Sequence, residues 1–249
     1  MNLLPEFTLE DSYLACVDVN GTELIQETVM TINLPANQFT FEWINPMGDL
    51  EATTASHIPL MGGTYTAVAT NIFTECRREV TTQVIPSSPA IVEAQVTTLA
   101  FADEHIIEAT ATGSGDYEYR LDDGPWQSNG IFTDVSPGEH IVIVRDLNGC
   151  GIGTKSVLVI DYPRFFTPNG DGYNDNWQII GIDNIPLSEI YIYDRYGKLL
   201  KQLSPVSEGW DGTFNGKPLP STDYWFTVKY EEPATGIIKT FRAHFSLKR

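Results

Sequence analysis

Apolar and polar residues alternate in short runs along nearly all of this 249-residue chain, and helical periodicity is almost absent. Runs rich in Val, Ile, Thr and aromatics fall at residues 28–34, 39–44, 65–70, 117–121, 140–145, 189–194 and 224–230, punctuated by Gly, Pro, Asn and Asp. In the last of these, Tyr224, Phe226, Val228 and Tyr230 share one face, and Trp225, Thr227 and Lys229 the other. At the end Phe241, Ala243, Phe245 and Leu247 point one way, and the chain is expected to close on that strand. Turn residues recur about every ten positions, the spacing of β-sandwiches. The pattern predicts an all-β protein.

Two interruptions divide it. Pro86-Ser87-Ser88-Pro89 reads as a short stiff linker, and Asp161-Tyr162-Pro163 marks a second boundary. The expectation is three tandem small Ig-like β-sandwich domains at residues 1–85, 86–162 and 163–249. The first two echo each other: Gly63-Thr64-Tyr65-Thr66-Ala67-Val68 resembles Gly138-Glu139-His140-Ile141-Val142-Ile143, and each run leads through a polar turn to a cysteine.

Charge sets the third segment apart. The chain carries −18 overall, with 11 acids and 2 bases in residues 1–85, 12 and 3 in residues 86–161, and 10 of each in residues 162–249. That balance argues against nucleic acid and anionic membrane as partners. No apolar run is long enough to span a bilayer as a helix. Met1-Asn2-Leu3-Leu4-Pro5-Glu6 lacks the basic head and apolar core of a leader, so an exported chain is expected to be a piece of something longer.

Signatures of chemistry are absent. His57, His105, His140 and His244 are dispersed, and there is no nucleophile elbow or phosphate loop. The glycine-dense Gly149-Cys150-Gly151-Ile152-Gly153 has no helix after it and reads as a turn. Neither an enzyme nor a cofactor is expected.

Residues 165–175 read Phe-Phe-Thr-Pro-Asn-Gly-Asp-Gly-Tyr-Asn-Asp. Side-chain oxygens at Asn169, Asp171 and Asp175 invite a Ca²⁺ reading. Counted from Asn169, however, the fifth, sixth and twelfth loop positions hold Tyr173, Asn174 and Ile180 rather than an EF-hand's ligands and glycine. A rigid loop held by Asx-type hydrogen bonds is preferred, with Ca²⁺ kept as the alternative. Then come Tyr193-Asp194-Arg195-Tyr196-Gly197, read as a hairpin turn, Gly209-Trp210-Asp211-Gly212, Leu219-Pro220-Ser221-Thr222-Asp223-Tyr224-Trp225-Phe226 and the closing Leu247-Lys248-Arg249.

Together these motifs resemble, in family order over residues 163–249, the type B C-terminal sorting domain of the type IX secretion system of Bacteroidota. The resemblance implies passage through the periplasm and outer membrane to the cell surface. It also implies as partners the secretion translocon and an associated outer-membrane β-barrel protein. The residues to which it gives recognition are Asn169, Gly170, Asp171, Gly172, Asn174 and Asp175, then Asp194, Arg195 and Gly197. Trp210, Asp211, Gly212, Asp223, Tyr224, Lys248 and Arg249 complete the set. The middle segment resembles repeats of large gliding adhesins through Tyr117-Glu118-Tyr119-Arg120-Leu121 and Val144-Arg145-Asp146-Leu147-Asn148-Gly149-Cys150. The first is similar to their Ig-like or PKD-like modules. A carbohydrate-binding module is the alternative, since residues 163–249 hold 15 of the 28 aromatics.

A secreted setting also bears on the cysteines. Cys16 and Cys76 fall in one module and are expected to pair; the bond would close a loop of about 60 residues, worth roughly 4 kcal/mol. Cys150 is expected to stay free. No C-x-x-C or His pair suggests a metal.

Overall fold

The computed structural model describes residues 4–185 and 188–249; Met1, Asn2 and Leu3, part of the segment read for a leader, lie outside them. Its strands gather around three apolar cores. The first involves β1 (Ser12–Cys16), β2 (Met30–Thr31), β3 (Phe39–Ile44), β4 (Leu50–Ala52), β5 (Ser56–His57), β6 (Gly63–Asn71) and β7 (Arg77–Ser87). A five-stranded sheet in the order β1-β7-β6-β3-β4 packs on the β2-β5 pair, with Trp43, Tyr65, Met30 and Ile32 buried between. The antiparallel ladders follow the alternation in the sequence, whereas β1 runs parallel to β7.

The second is built from β8 (Ile91–Val96), β9 (Ile107–Thr112), β10 (Tyr117–Leu121), β11 (Ile131–Phe132), β12 (Gly138–Asp146) and β13 (Ile152–Val159). Sheets β10-β12-β13 and β11-β9-β8 close on Ile107, Phe132, Val142 and Val144. The sequence echo is structural. β6 and β12 are both nine residues long, and both open on a glycine at φ 129, where a side chain would be strained.

The third contains β14 (Phe165–Phe166), a 3-10 turn (Ile182–Asn184), β15 (Glu189–Tyr193), β16 (Leu199–Leu203), β17 (Thr213–Phe214), β18 (Lys217–Pro218), β19 (Thr222–Glu232) and β20 (Ile237–Leu247). The sheet order is β14-β20-β19-β15-β16. Trp177 and Trp210, bridged through their backbones, cover its inner face. Trp177 stacks on Phe245 with ring centroids 3.9 Å apart, and Trp210 meets Tyr224 edge-on at 5.0 Å. Most aromatics of this segment, including Phe166, Phe226 and Tyr230, are thus committed to the core.

The joints correct two expectations. The residues read as a short stiff linker do not stand apart from the sandwiches: β7 continues to Ser87, and Ser87 and Ser88 are buried. Ser87 Oγ donates to Asp146 Oδ2 at 2.7 Å and Tyr117 Oη to the Ser88 carbonyl at 3.1 Å. The expected Cys16–Cys76 bond is not formed. Cys16 pairs with Cys150, the Cα atoms 5.2 Å apart, and Cys76 is free. The reason is the parallel β1. Its register sets Cys16 opposite Ser87 at the far end of β7, while Cys76 precedes the first residue of that strand. Eleven residues of extended chain separate those ends, roughly 36 Å, far beyond disulfide reach. The turn after β12, folded against Ser87 by Asp146, carries Cys150 to Cys16 instead.

Candidate functional site

Residues 169–175 form a closed polar loop following β14. Asp175 Oδ1 accepts the backbone N–H groups of Asn169 (2.9 Å) and Gly170 (2.6 Å), and its Oδ2 accepts that of Gly172 (2.8 Å). Asn169 Oδ1 takes the Asp171 N–H at 3.0 Å and Asp171 Oδ1 the Tyr173 N–H at 2.8 Å. These N–H donors, led by that of Gly170, hold the Asp175 carboxyl below the usual carboxylate range. Gly170 and Gly172 turn through φ 81 and 88, and Asn174 through φ 51, the bends that aim the amides inward. The oxygens offered to Ca²⁺ in the sequence accept the loop's own N–H donors in this structure. No cluster of three His, Cys, Asp or Glu suited to a metal occurs among the described residues.

The second loop joins β15 to β16. Asp194 Oδ1 accepts the N–H groups of Tyr196 and Lys198, both at 2.9 Å, and Gly197 at φ 80 completes the turn. Arg195 Nη2 reaches Thr222 Oγ1 at 2.7 Å. Nearby, the Trp210 indole donates to the Thr213 carbonyl and Asp211 Oδ1 caps the Thr213 N–H. Gly212, at φ 75, lies so close to Leu247 that a Cβ would stand 2.6 Å from its Cδ1. Arg249 fastens the chain end by donating to Leu219 O (2.6 Å) and Gly212 O (3.4 Å), and Lys248 Nζ lies 4.3 Å from the Phe165 ring centroid. Asp223 Oδ1 accepts from Ser246 Oγ at 2.5 Å. Tyr224 Oη donates to Pro220 O at 2.8 Å, and burial pushes its phenol pKa up.

Strand direction brings these residues to one end of the sandwich. β14 runs parallel to β20 and stops beside Leu247, so residues 169–175 leave at that end. Tyr193 pairs with Trp225 near the start of β19, so the β15–β16 turn emerges there too. The opposite end is the β19–β20 turn, which meets the second sandwich. Along β20, strand β14 covers only Ser246 and Leu247. From Ile237 to Phe245 its outer side has no partner strand among the described residues.

Residues 160–241 match the model of the CHU_C type IX secretion signal domain. The third sandwich carries a type IX secretion signal domain. The chain is thus marked for export by that system to the cell surface or the extracellular space. No curated protein matches it. Among solved structures, the titin I-band fragment I67–I69 is 9% identical with a TM-score of 0.40, covering 100% of this chain and 99% of that one. Drosophila OTK extracellular domains 3–5 are 14% identical with a TM-score of 0.27, covering 98% of both chains. The three N-terminal domains of the bacteriophage RB49 outer capsid protein Hoc are 13% identical with a TM-score of 0.34, covering 98% and 99%.

Within the secretion signal domain, the residues singled out from sequence fall into two groups. Trp210, Gly212, Asp223 and Tyr224 lock strands and loops together. Asn169, Asp171, Asp175, Asp194 and Arg195 shape two exposed loops. Two residues outside that set, Tyr173 and Tyr196, are 78% and 87% exposed at the loop tips and join it as candidates. An aromatic in the middle of a Gly/Asp/Asn turn was the available signal, because such a turn has no core of its own to bury it. Beside Tyr196 lies a groove of about 420 Å³ lined by Arg195, Lys198, Phe214, Leu219 and Tyr224.

Proposed function

We propose that this chain is the export-directing part of a secreted surface protein, with the sandwiches at residues 1–85 and 86–162 serving as a non-catalytic stalk. In this reading, residues 163–249 are recognised as a folded surface by the type IX translocon and an associated outer-membrane β-barrel. The passenger is an adhesin of the gliding type. The observation that carries it is the convergence of two rigid loops, with Tyr173 and Tyr196 at their tips, on the end of the signal domain away from the second sandwich. Loops on a rigid sandwich are where binding residues concentrate. The open edge of β20 offers a second contact, through backbone pairing.

The test is secretion of the full chain from a cell that has the system. Removing residues 239–249 takes away most of β20 and is expected to abolish export; normal export of that form refutes recognition of a folded signal. Substituting Tyr173, Asp175, Arg195 and Tyr196 together is expected to cut export at least tenfold. If the substituted chain leaves the cell normally while the truncation is blocked, recognition moves to the β20 edge.

A carbohydrate-binding role is the second reading. It is favoured by the row of Tyr193, Trp225 and His244 across the outer face of the sheet, Trp225 being 40% exposed. A glycan array with the Trp225→Ala chain as control decides it.

A further inference from the structure

Phe101 lies, by sequence, in the segment joining β8 to β9 of the second sandwich; by packing it belongs to the third. Its ring is buried, stacks on Phe241 with centroids 4.5 Å apart and meets Tyr230 edge-on at 5.1 Å. It joins the apolar cluster of the signal domain and not that of its own sandwich. Its backbone sits at φ 63, a costly conformation for a residue with a β-carbon, which persists only where the surroundings enforce it. They do so here. The Phe101 N–H donates to Ile160 O at 3.1 Å, and the Ala100 N–H donates to Glu232 Oε1 at 3.3 Å. Glu232 is itself buried, its Oε2 3.2 Å from the Tyr230 hydroxyl and 3.5 Å from Lys239 Nζ.

We propose that the export signal is a two-module unit: the segment around Phe101 completes the core of the signal domain, which keeps its export-competent fold only while that segment is seated. The proposal rests on the reading in which residues 163–249 direct export. Phe241, on which Phe101 stacks, lies in β20, the strand that supplies the domain's open edge. Unseating Phe101 therefore uncovers the strand pair β19–β20. Because Phe101 is held in place by the second sandwich, unfolding of that module releases the plug. The signal thereby reports that the module ahead of it has folded.

The experiment is amide hydrogen exchange on the full chain, with Phe101→Ala and Phe101→Leu. Emptying this site is expected to speed exchange in β19 and β20 about a hundredfold, while β12 and β13 keep their protection. Phe101→Leu, which keeps the apolar volume but loses the stacking, is expected to speed it about tenfold in the same strands. If Phe101→Ala does not fold, the leucine variant is read alone. Unchanged exchange in β19–β20, or equal acceleration in β12–β13, overturns the proposal. Secretion of the same variants is then compared at a temperature where the wild type is exported. Export retained despite loosened β19–β20 strands overturns the link between seating and export. Normal export of a chain lacking residues 163–249 instead removes the functional reading and leaves the exchange result standing.

Discussion

The two joints between the sandwiches use the same docking element and opposite chemistry. In each, a hairpin turn reaches back to the preceding module, and a buried acid at the end of the incoming strand accepts a hydrogen bond from it. Asp146 takes the Ser87 hydroxyl and Glu232 takes the Ala100 N–H. Around that shared contact the first joint is covalent and polar, with the Cys16–Cys150 bond, Asn148 on Ser87 and Tyr117 on Ser88. The second is an aromatic plug, Phe101 among Tyr162, Tyr230 and Phe241. Charge accounts for the difference. The first joint holds together two segments with net charges of about −9 each, which repel at short range, and a covalent clasp resists that without added apolar surface. The third segment is neutral and, beyond the shared acid contact, docks through apolar burial.

The largest effect that would break this contrast is loss of the disulfide. It closes a span of 134 residues, so its removal by reduction or by Cys150→Ala is expected to cost up to about 5 kcal/mol in the chain-entropy picture. Thermal unfolding should show a lowered transition for the first two modules while the signal domain melts as before. A signal-domain transition that falls equally would mean the joints are coupled and the contrast is wrong.

Next come the two acids. Asp146→Ala strips acceptors from Ser87 Oγ and the Cys150 N–H, both buried, and from the half-buried Asp116 N–H, and is expected to cost about 3 kcal/mol. Glu232→Ala orphans the Ala100 N–H and the Tyr230 hydroxyl, for about 2 kcal/mol. With the disulfide intact, Asp146→Ala should loosen the turn without separating the modules. Glu232→Ala, with no covalent clasp beside it, should expose the β19–β20 turn to limited proteolysis. Cleavage at the first joint rather than the second would reverse the assignment of strengths.

Alternation made most strands legible; Phe39–Ile44 and Tyr117–Leu121 fall where the pattern puts them. The loop at residues 169–175 was also legible, because Asx chemistry acts over a few residues and needs no tertiary information. The joints were not. Alternation says which face a strand buries but not whether it runs parallel or antiparallel, and the cysteine pairing turned on β1 lying parallel to β7. Residues 86–89 look like a spacer by composition because two serines between prolines carry no apolar signal; their burial depends on Asp146 and Tyr117, far along the chain. Phe101 stood in a loop with no periodicity, so nothing local marked it as part of another module's core.

The smallest expected effect is a local response to acid, and it tests whether the clasped joint shields the loop beside it. The Asp18 loop lies next to Cys16. Its carboxylate accepts the N–H groups of Thr22 at 2.6 Å and Glu23 at 3.0 Å, and these bonds, led by that from Glu23, bring its pKa down to about 2. Asp175, on the far end of the signal domain, is lowered by the same kind of donors. Both folded-state values lie below the unfolded one, so the stabilisation is present in full above the ordinary carboxylate value of about 4. It is lost as the pH falls through each folded value. Amide exchange corrected for intrinsic rates should therefore quicken at Thr22 and Glu23 between about pH 4 and pH 2, and at Asn169, Gly170 and Gly172 as the pH falls below about 4 through the lowered Asp175 value. Asp18→Asn and Asp175→Asn should remove most of that pH dependence, each at its own loop. If the clasp stiffens its surroundings, the Asp18 loop will loosen less than the Asp175 loop at equal protonation. Equal loosening at both would confine the disulfide's influence to the joint itself, and Thr22 and Glu23 amides still protected below pH 2 would show that the Asp18 carboxylate does not hold its loop.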